Sequence, residues 1–401
     1  MIRIQINDVQ QKKQEYENAL INLVAFRVSV LHQSLCHLNG VAVDFSTDDF
    51  VSFKAVTKHI INSVGDNFTI LNGRSGYATS IANYLANLNS LGNINIRGLM
   101  HLCNTLLANS EQHLRSLLID DANNLLVLNE TILNNHVVNT KENIAIIKLA
   151  FDYQNFGEIS EAIKIYFRAN SFTKICSYCN TEPIIHQTNL AGQVIRSYEL
   201  DHFYDKARYP LLSYSLFNLV ASDHTCNVTN KGSTQFTDDF HLNPHHMGYI
   251  DRICFVPVGL STAYKVDEVE VSILEVQGTV TYQRINGNNL PNVEQGDLGN
   301  LNVFRIRSKY KNEIHRAGRF LKTFHKENKQ GKHLKKYFKA LKTLDRKANY
   351  IKWYEEELDV RFNPSDFNDK AFSKLCRDIH DYYYNQNKSI LNRYIIELIY
   401  K

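Results

Sequence analysis

At 401 residues, with 44% apolar and 21% charged side chains, the chain has the usage of an ordinary globular protein and the length of about two to four domains, which excludes a disordered tail and a collagen-like fibre. Seventeen glycines and six prolines are too few for a flexible or stiff linker between domains. The net charge of +4 hides an asymmetry: residues 305–347 carry sixteen Lys and Arg against three acids (Glu313, Glu327 and Asp345), which leaves the rest of the chain acidic, at a net −9.

Residues 8–38 predict a long helix, because Tyr16, Leu20, Leu23, Val24, Phe26, Val30 and Leu31 recur at helical spacing. Its most apolar part, 20–31, is interrupted by Asn22 and Arg27 and is too short and polar to span a membrane. The first residues carry no apolar signal segment, so the expectation is a soluble cytoplasmic protein. Ser46-Thr47-Asp48-Asp49 predicts an N-cap for a helix through Phe53, Val56, Ile60 and Ile61. Asn72-Gly73-Arg74-Ser75-Gly76 reads as a turn and lacks the Lys-Ser/Thr step of a phosphate loop. Helices are expected over 77–90, 96–108 and 110–127. Thr140 and Asn143 precede an apolar run over 144–151, and Ser160 is expected to cap a helix over 161–167.

At Cys176 the helical periodicity stops. Segments 184–188 and 193–200 flank a turn at 189–192 and predict a β-hairpin, and 267–284, rich in Val, Ile and Thr, predicts a second β piece. From about 308 the pattern is helical again. Ile314, Ala317, Leu321 and Phe324 form one stripe, Leu334, Phe338, Leu341, Leu344, Ala348 and Ile351 another, and a last helix is expected over 388–400.

Of the seven cysteines, Cys36, Cys103, Cys254 and Cys376 are solitary, whereas Cys176 and Cys179 form a Cys-x-x-Cys. In a chain without an export signal that spacing points to metal or redox chemistry, and no thioredoxin-like βαβ pattern surrounds it. Downstream stand Glu199-Leu200-Asp201-His202, then Tyr209-Pro210-Leu211-Leu212, Asn218-Leu219, Asp223-His224, Cys226-Asn227 and Lys231-Gly232. Asp201 and His202 are neighbours on an expected strand end, so their side chains diverge. One can hold a metal while the other faces a water. A neutral imidazole suits a general base near neutral pH, and a carboxylate with an amide oxygen suits Mg²⁺ or Mn²⁺.

In order and spacing this set resembles the HNH endonuclease family, in its zinc-knuckle, McrA-like branch. The resemblance covers roughly a sixth of the chain. It implies a ββα-metal fold in which His202 is the general base and Asp201 and Asn227 ligate the catalytic Mg²⁺ or Mn²⁺. Asn218 would hold the loop that aims His202, and Lys231 would meet the scissile phosphate. It also implies a structural zinc bound by Cys176, Cys179 and Cys226. The family's fourth cysteine falls at position 223, which is Asp here, so Asp223, His224 or a metal-free site all stay open. His241, His245 and His246 are read as a polar loop, with metal or phosphate contact as the alternative.

The basic helices place Lys335, Lys336, Lys339, Lys342 and Arg346 off the apolar stripe, where they can clamp a nucleic-acid backbone or face solvent. The expected fold class is α+β, mainly helical, with a helical domain over 1–140, a nuclease domain with its knuckle over 141–248, and a β piece followed by basic helices over 249–401. The expected function is a divalent-metal-dependent endonuclease acting on DNA, with RNA left open. By resemblance it acts in bacterial defence against phage or foreign DNA beside an ATPase or another defence protein, and off the membrane. The alternative is a non-catalytic zinc-knuckle nucleic-acid-binding protein.

Overall fold

In a computed structural model the chain is described over residues 3–39, 94–151, 153, 157–170, 172–184, 187–188, 194–196, 199–237, 240–248, 253–273, 299–330 and 346–386. Within these residues it is an α+β protein in which helices dominate and the strands form three two-stranded sheets. The expected helices over 46–61, 77–90 and 388–400, the turn at 72–76, the stripe from Leu334 to Leu344, and Lys335, Lys336, Lys339 and Lys342 lie outside the described residues. Among the described residues no helix is long and apolar enough to cross a membrane.

The chain divides into two compact units. One, the helical unit, comprises 6–172 and 201–220; the other, the cysteine unit, comprises 1–5, 173–200 and 221–401. Residues expected to form a single nuclease domain, 141–248, are thus shared between them.

In the helical unit, α1 (Val9–Leu38) buries Tyr16, Leu20, Leu23, Val24 and Leu31 of the predicted stripe together with Val28 and Leu35, while Phe26 is half-buried and the burial of Val30 lies outside the described residues. It packs against α2 (Ile96–Ile119). Arg27, which interrupts the apolar pattern, is buried too, with its guanidinium on the hydroxyl of Tyr214. Asn95 caps α2 by accepting from the Gly98 N–H at 2.9 Å. A break at 108–111, where Asn109, Ser110 and Glu111 adopt φ of 51°, 55° and 57°, separates the two helices that the sequence predicts here, but the second ends at Ile119 rather than 127. Then follow α3 (Leu125–Asn135), α4 (Lys141–Ala150), with Thr140 as N-cap, and α5 (Gly157–Asn170). The last begins before Ser160, which is therefore inside the helix rather than its cap. The returning segment 201–220 carries two short 3₁₀ turns, Pro210–Leu212 and Leu216–Asn218.

The cysteine unit opens with a tight loop whose arms close through Ile184 N–H on the Lys174 carbonyl and Cys176 N–H on the Glu182 carbonyl. The expected hairpin follows as β1 (Gln187–Thr188) and β2 (Val194–Arg196), antiparallel. Next come β3 (Glu199–His202) and β4 (Leu219–Ser222), which pair with each other; the unit boundaries fall inside these two strands. A single wide helical turn, Thr225–Lys231, ends at Gly232, whose φ of +49° lets its N–H reach the Asn227 carbonyl at 3.0 Å. β5 (Ile253–Val258) and β6 (Glu268–Ile273) pair antiparallel from Ile253↔Ile273 to Val258↔Glu268. β6 lies within the predicted β piece; β5, with Pro257 inside it, carries no such signal.

Further on are α6 (Asn300–Val303), α7 (Ile306–Lys311), α8 (Ile314–Gln330), α9 (Arg346–Leu358) and α10 (Ser373–Gln386). Ala317, Leu321 and Phe324 of the predicted stripe are buried on α8, facing α10. On α9 the buried residues are Tyr350, Trp353, Tyr354 and Leu358, while Ala348, expected on the apolar stripe, is exposed. The aromatic rings set the phase of this helix, since each has far more surface to bury than a methyl group.

Candidate metal centre

Cys176 and Cys179 lie at the tip of the 174–184 loop because the turn between them is closed on itself. The Asn180 N–H bonds the Cys176 carbonyl at 2.8 Å, and Asn180 takes a left-handed φ of 56°. Asn180 is anchored in turn by its side-chain amide on the Phe367 carbonyl at 2.9 Å and by the Phe372 N–H on its own carbonyl. Cys226 enters from the first turn after β4. Asp223 stands just before that turn and its side chain helps to close it: Oδ1 accepts from the Cys226 N–H at 3.0 Å, while Oδ2 lies 3.7 Å from Cys179 Sγ. One carboxylate oxygen orders the backbone and the other faces the thiols.

The ligand atoms of Cys176, Cys179, Asp223 and Cys226 all lie within 4.8 Å of one another. A tetrahedral zinc with sulfur at about 2.3 Å needs its sulfurs about 3.8 Å apart, so the donor set and its spacing fit one zinc ion. The three cysteines are essentially inaccessible, and a disulfide joins none of them. Burial pushes the Cys176 thiol well up, whereas hydrogen bonds from Cys176 and Cys226 hold the Cys179 thiol well below its ordinary range. Of the two candidates for fourth ligand, the structure brings Asp223 to the thiols. His224 is exposed and donates through Nδ1 to Glu199 Oε1 at 2.5 Å.

Around the sulfurs is a further layer. The Thr181 hydroxyl donates to Cys179 Sγ at 3.1 Å, the Tyr310 hydroxyl donates to the Cys179 carbonyl at 2.7 Å, and Lys309 Nζ lies 3.4 Å from Cys226 Sγ. Burial works against the Lys309 ammonium, but the nearby thiols and Asp223 outweigh it and raise its pKa. The loop itself is seated on rings: Tyr178 stacks on Phe304 at 4.3 Å, and Tyr310 stacks on Phe255 at 4.0 Å.

Asn227 is also in the cysteine unit, where its Nδ2 donates to Glu199 Oε2 at 2.8 Å. Lys231 is buried with its ammonium 4.7 Å from the Phe236 ring centroid, a cation–π contact. His241 is buried and stacks on the same ring at 4.0 Å, which gives it a packing role.

In the helical unit, Asp201 and His202 are both buried at the end of β3. His202 Nε2 lies 2.9 Å from the Ser213 carbonyl oxygen, and the imidazole and the Tyr153 ring stand nearly perpendicular with centroids 4.8 Å apart. Asn218 is fully buried and ties the loop 204–212 together. Its Oδ1 accepts from the Tyr204 N–H at 2.7 Å, and its Nδ2 donates to the carbonyls of Tyr204 at 3.1 Å and Leu212 at 2.9 Å. Of the basic residues proposed for the clamp, Arg346 opens α9 and the four lysines lie outside the described residues.

Sequence reasoning passes over Glu199, Thr181, Lys309 and Tyr310. Glu199 carries a signal, an acid two residues before Asp201 on the same strand; Lys309 and Tyr310 carry none, because they meet the cysteines across a long stretch of chain. The chain matches no protein-family model, no curated protein and no solved structure.

Proposed function

We propose that the chain is a divalent-metal-dependent endonuclease of HNH type that hydrolyses phosphodiester bonds in DNA, in bacterial defence against phage or foreign DNA. The observation that carries this reading is the hydrogen bond of His202. A carbonyl oxygen only accepts, so in the neutral ring Nε2 holds the proton against Ser213 and Nδ1 keeps the lone pair. On this reading the His202 imidazole takes the proton of a water attacking phosphorus, as the new O–P bond forms and the bond to the leaving oxygen breaks. Asn218 supports this by closing the 204–212 loop, which precedes the Ser213 carbonyl directly. The order β3, β4, helical turn supports the ββα arrangement that the resemblance implies.

On this reading the resemblance assigns Asp201 and Asn227 to the catalytic Mg²⁺ or Mn²⁺. A carboxylate oxygen and an amide oxygen are hard donors of the type these ions take. The bound ion supplies charge stabilisation at the phosphate and the leaving oxygen. Lys231 would reach the phosphate only by turning off the Phe236 ring. The zinc knuckle fixes the start of the helical turn that carries Asn227. Lys335, Lys336, Lys339, Lys342 and Arg346 are assigned to the DNA backbone from the sequence alone. Replacing the four lysines with Gln should flatten the slope of log K against log salt by up to about 0.9 per lost contact.

The test is incubation of supercoiled plasmid with purified protein and Mg²⁺ or Mn²⁺, with and without EDTA, beside His202→Ala. Expected is metal-dependent nicking or linearisation by the wild type, slowed by about 10²–10⁴-fold in the variant at unchanged folding. Equal cleavage by both proteins sinks the assignment. DNA binding without cleavage by the wild type favours the non-catalytic alternative.

A further inference from the structure

Lys309 belongs by sequence to the basic block, yet it is half-buried and its ammonium is turned to the cysteines. Its ammonium lies 3.4 Å from Cys226 Sγ. Three thiolates and one carboxylate around Zn²⁺ leave two negative charges in excess, in a pocket whose cysteines are shut off from water. Excess charge in such a place is expensive unless a counter-charge accompanies it. Lys309 is placed for that task by its helix. Tyr310, next to it on α7, is fully buried, stacks on Phe255 and bonds the Cys179 carbonyl, while Arg307 Nη1 donates to the Val271 carbonyl at 2.8 Å. A compact ammonium suits a single sulfur acceptor better than a planar fork does.

We propose that Lys309 is the charge-compensating partner of the Cys176–Cys179–Asp223–Cys226 metal site, and that it sets how tightly the site holds zinc. It stabilises the thiolate of Cys226 by an N–H···S hydrogen bond. Second-layer groups of this kind alter metal affinity by about 10–100-fold.

The test uses the full chain, stripped of metal and titrated with Co²⁺, then with Zn²⁺ against a chelator. The variants are Lys309→Met, Lys309→Arg and the control Lys311→Met on the same helix, where Lys311 is exposed and pairs with Glu268. Expected are unchanged thiolate-to-cobalt absorption bands in all variants, because the ligands are untouched. Affinity should fall about 10–100-fold in Lys309→Met, be largely restored in Lys309→Arg, and stay at the wild-type value in Lys311→Met. The proposal is overturned if Lys309→Met binds like the wild type, if Lys311→Met weakens binding as much, if Lys309→Arg restores nothing, or if the wild type takes up no metal. None of these readouts involves nucleic-acid cleavage, so the fate of the nuclease reading is decided separately.

Discussion

The side-chain amide of Asn227 donates through Nδ2 to Glu199 Oε2 at 2.8 Å, and this bond decides which atom of the amide is left to face elsewhere. A carboxylate only accepts, so the amide cannot flip without losing the bond, and Oδ1 is held away from Glu199. In the proposed nuclease that oxygen is a ligand of the catalytic ion. Glu199→Leu should therefore raise the Mg²⁺ concentration needed for half-maximal cleavage, with much of the rate recovered at saturating Mg²⁺ and zinc content unchanged. A Mg²⁺ curve that overlays the wild type would show that Asn227 needs no such anchor.

The cysteine cluster predicts a graded response to ligand removal. Cys176→Ser, Cys179→Ser and Cys226→Ser should each purify with little zinc by elemental analysis. Asp223→Ala should keep part of it, since three thiolates remain, and His224→Ala should keep all of it, since that ring pairs with Glu199. Zinc loss in His224→Ala with retention in Asp223→Ala would reverse the ligand assignment. Chelation of the wild type should open the 174–184 loop, because metal binding and local folding are coupled.

Asn218 makes three hydrogen bonds to backbone groups from a fully buried position. Asn218→Ala leaves the Tyr204 N–H and two carbonyls without that partner in a dry interior, and a loss of about 2–4 kcal/mol is expected by urea unfolding. Asn218→Asp keeps the acceptor but loses both donors, and should also be destabilised. A change below about 0.5 kcal/mol in both variants would mean that the loop satisfies these groups another way.

His380 predicts a pH dependence. It is fully buried, with Nε2 2.8 Å from the Tyr350 hydroxyl and Nδ1 2.8 Å from Asp381 Oδ1, and rings of Phe324, Tyr354, Phe362 and Tyr384 surround it. Burial lowers its pKa below the usual 6.5, and Arg377 adds to this, against the pull of Asp381. Below about pH 6.5 the unfolded chain binds a proton here that the folded chain refuses, so stability falls as pH falls. The slope from this one group approaches about 1.4 kcal/mol per pH unit. Urea midpoints of the wild type and His380→Gln between pH 7.5 and 5 should therefore converge as pH drops. A gap between the two that does not change with pH would show that His380 does not titrate in this range.

Features with short sequence separation are legible in the sequence itself. Most of the α1 stripe, the helix after Thr140, the pairing of β1 with β2 and the Cys-x-x-Cys each depend on neighbours a few residues away, where periodicity and turn chemistry act directly. The cap expected at Ser160 and the unpredicted strand β5 fail for the same reason in reverse. A cap depends on where the chain actually enters the helix, and this helix begins at Gly157, ahead of Ser160; β5 is a strand because β6 lies beside it.

By itself the sequence determined the type of chemistry available: three cysteines, an acid and a histidine at 223 and 224, an Asp-His pair and an Asn after the last cysteine of the cluster. Only the tertiary structure decided that Asp223 faces the thiols while His224 turns to Glu199, and that Lys309 is drawn out of the basic block to Cys226. The physical reason is that ligand choice and charge compensation are set by which atoms burial brings within bonding distance. For residues 83 positions apart, as Lys309 and Cys226 are, packing alone supplies that distance.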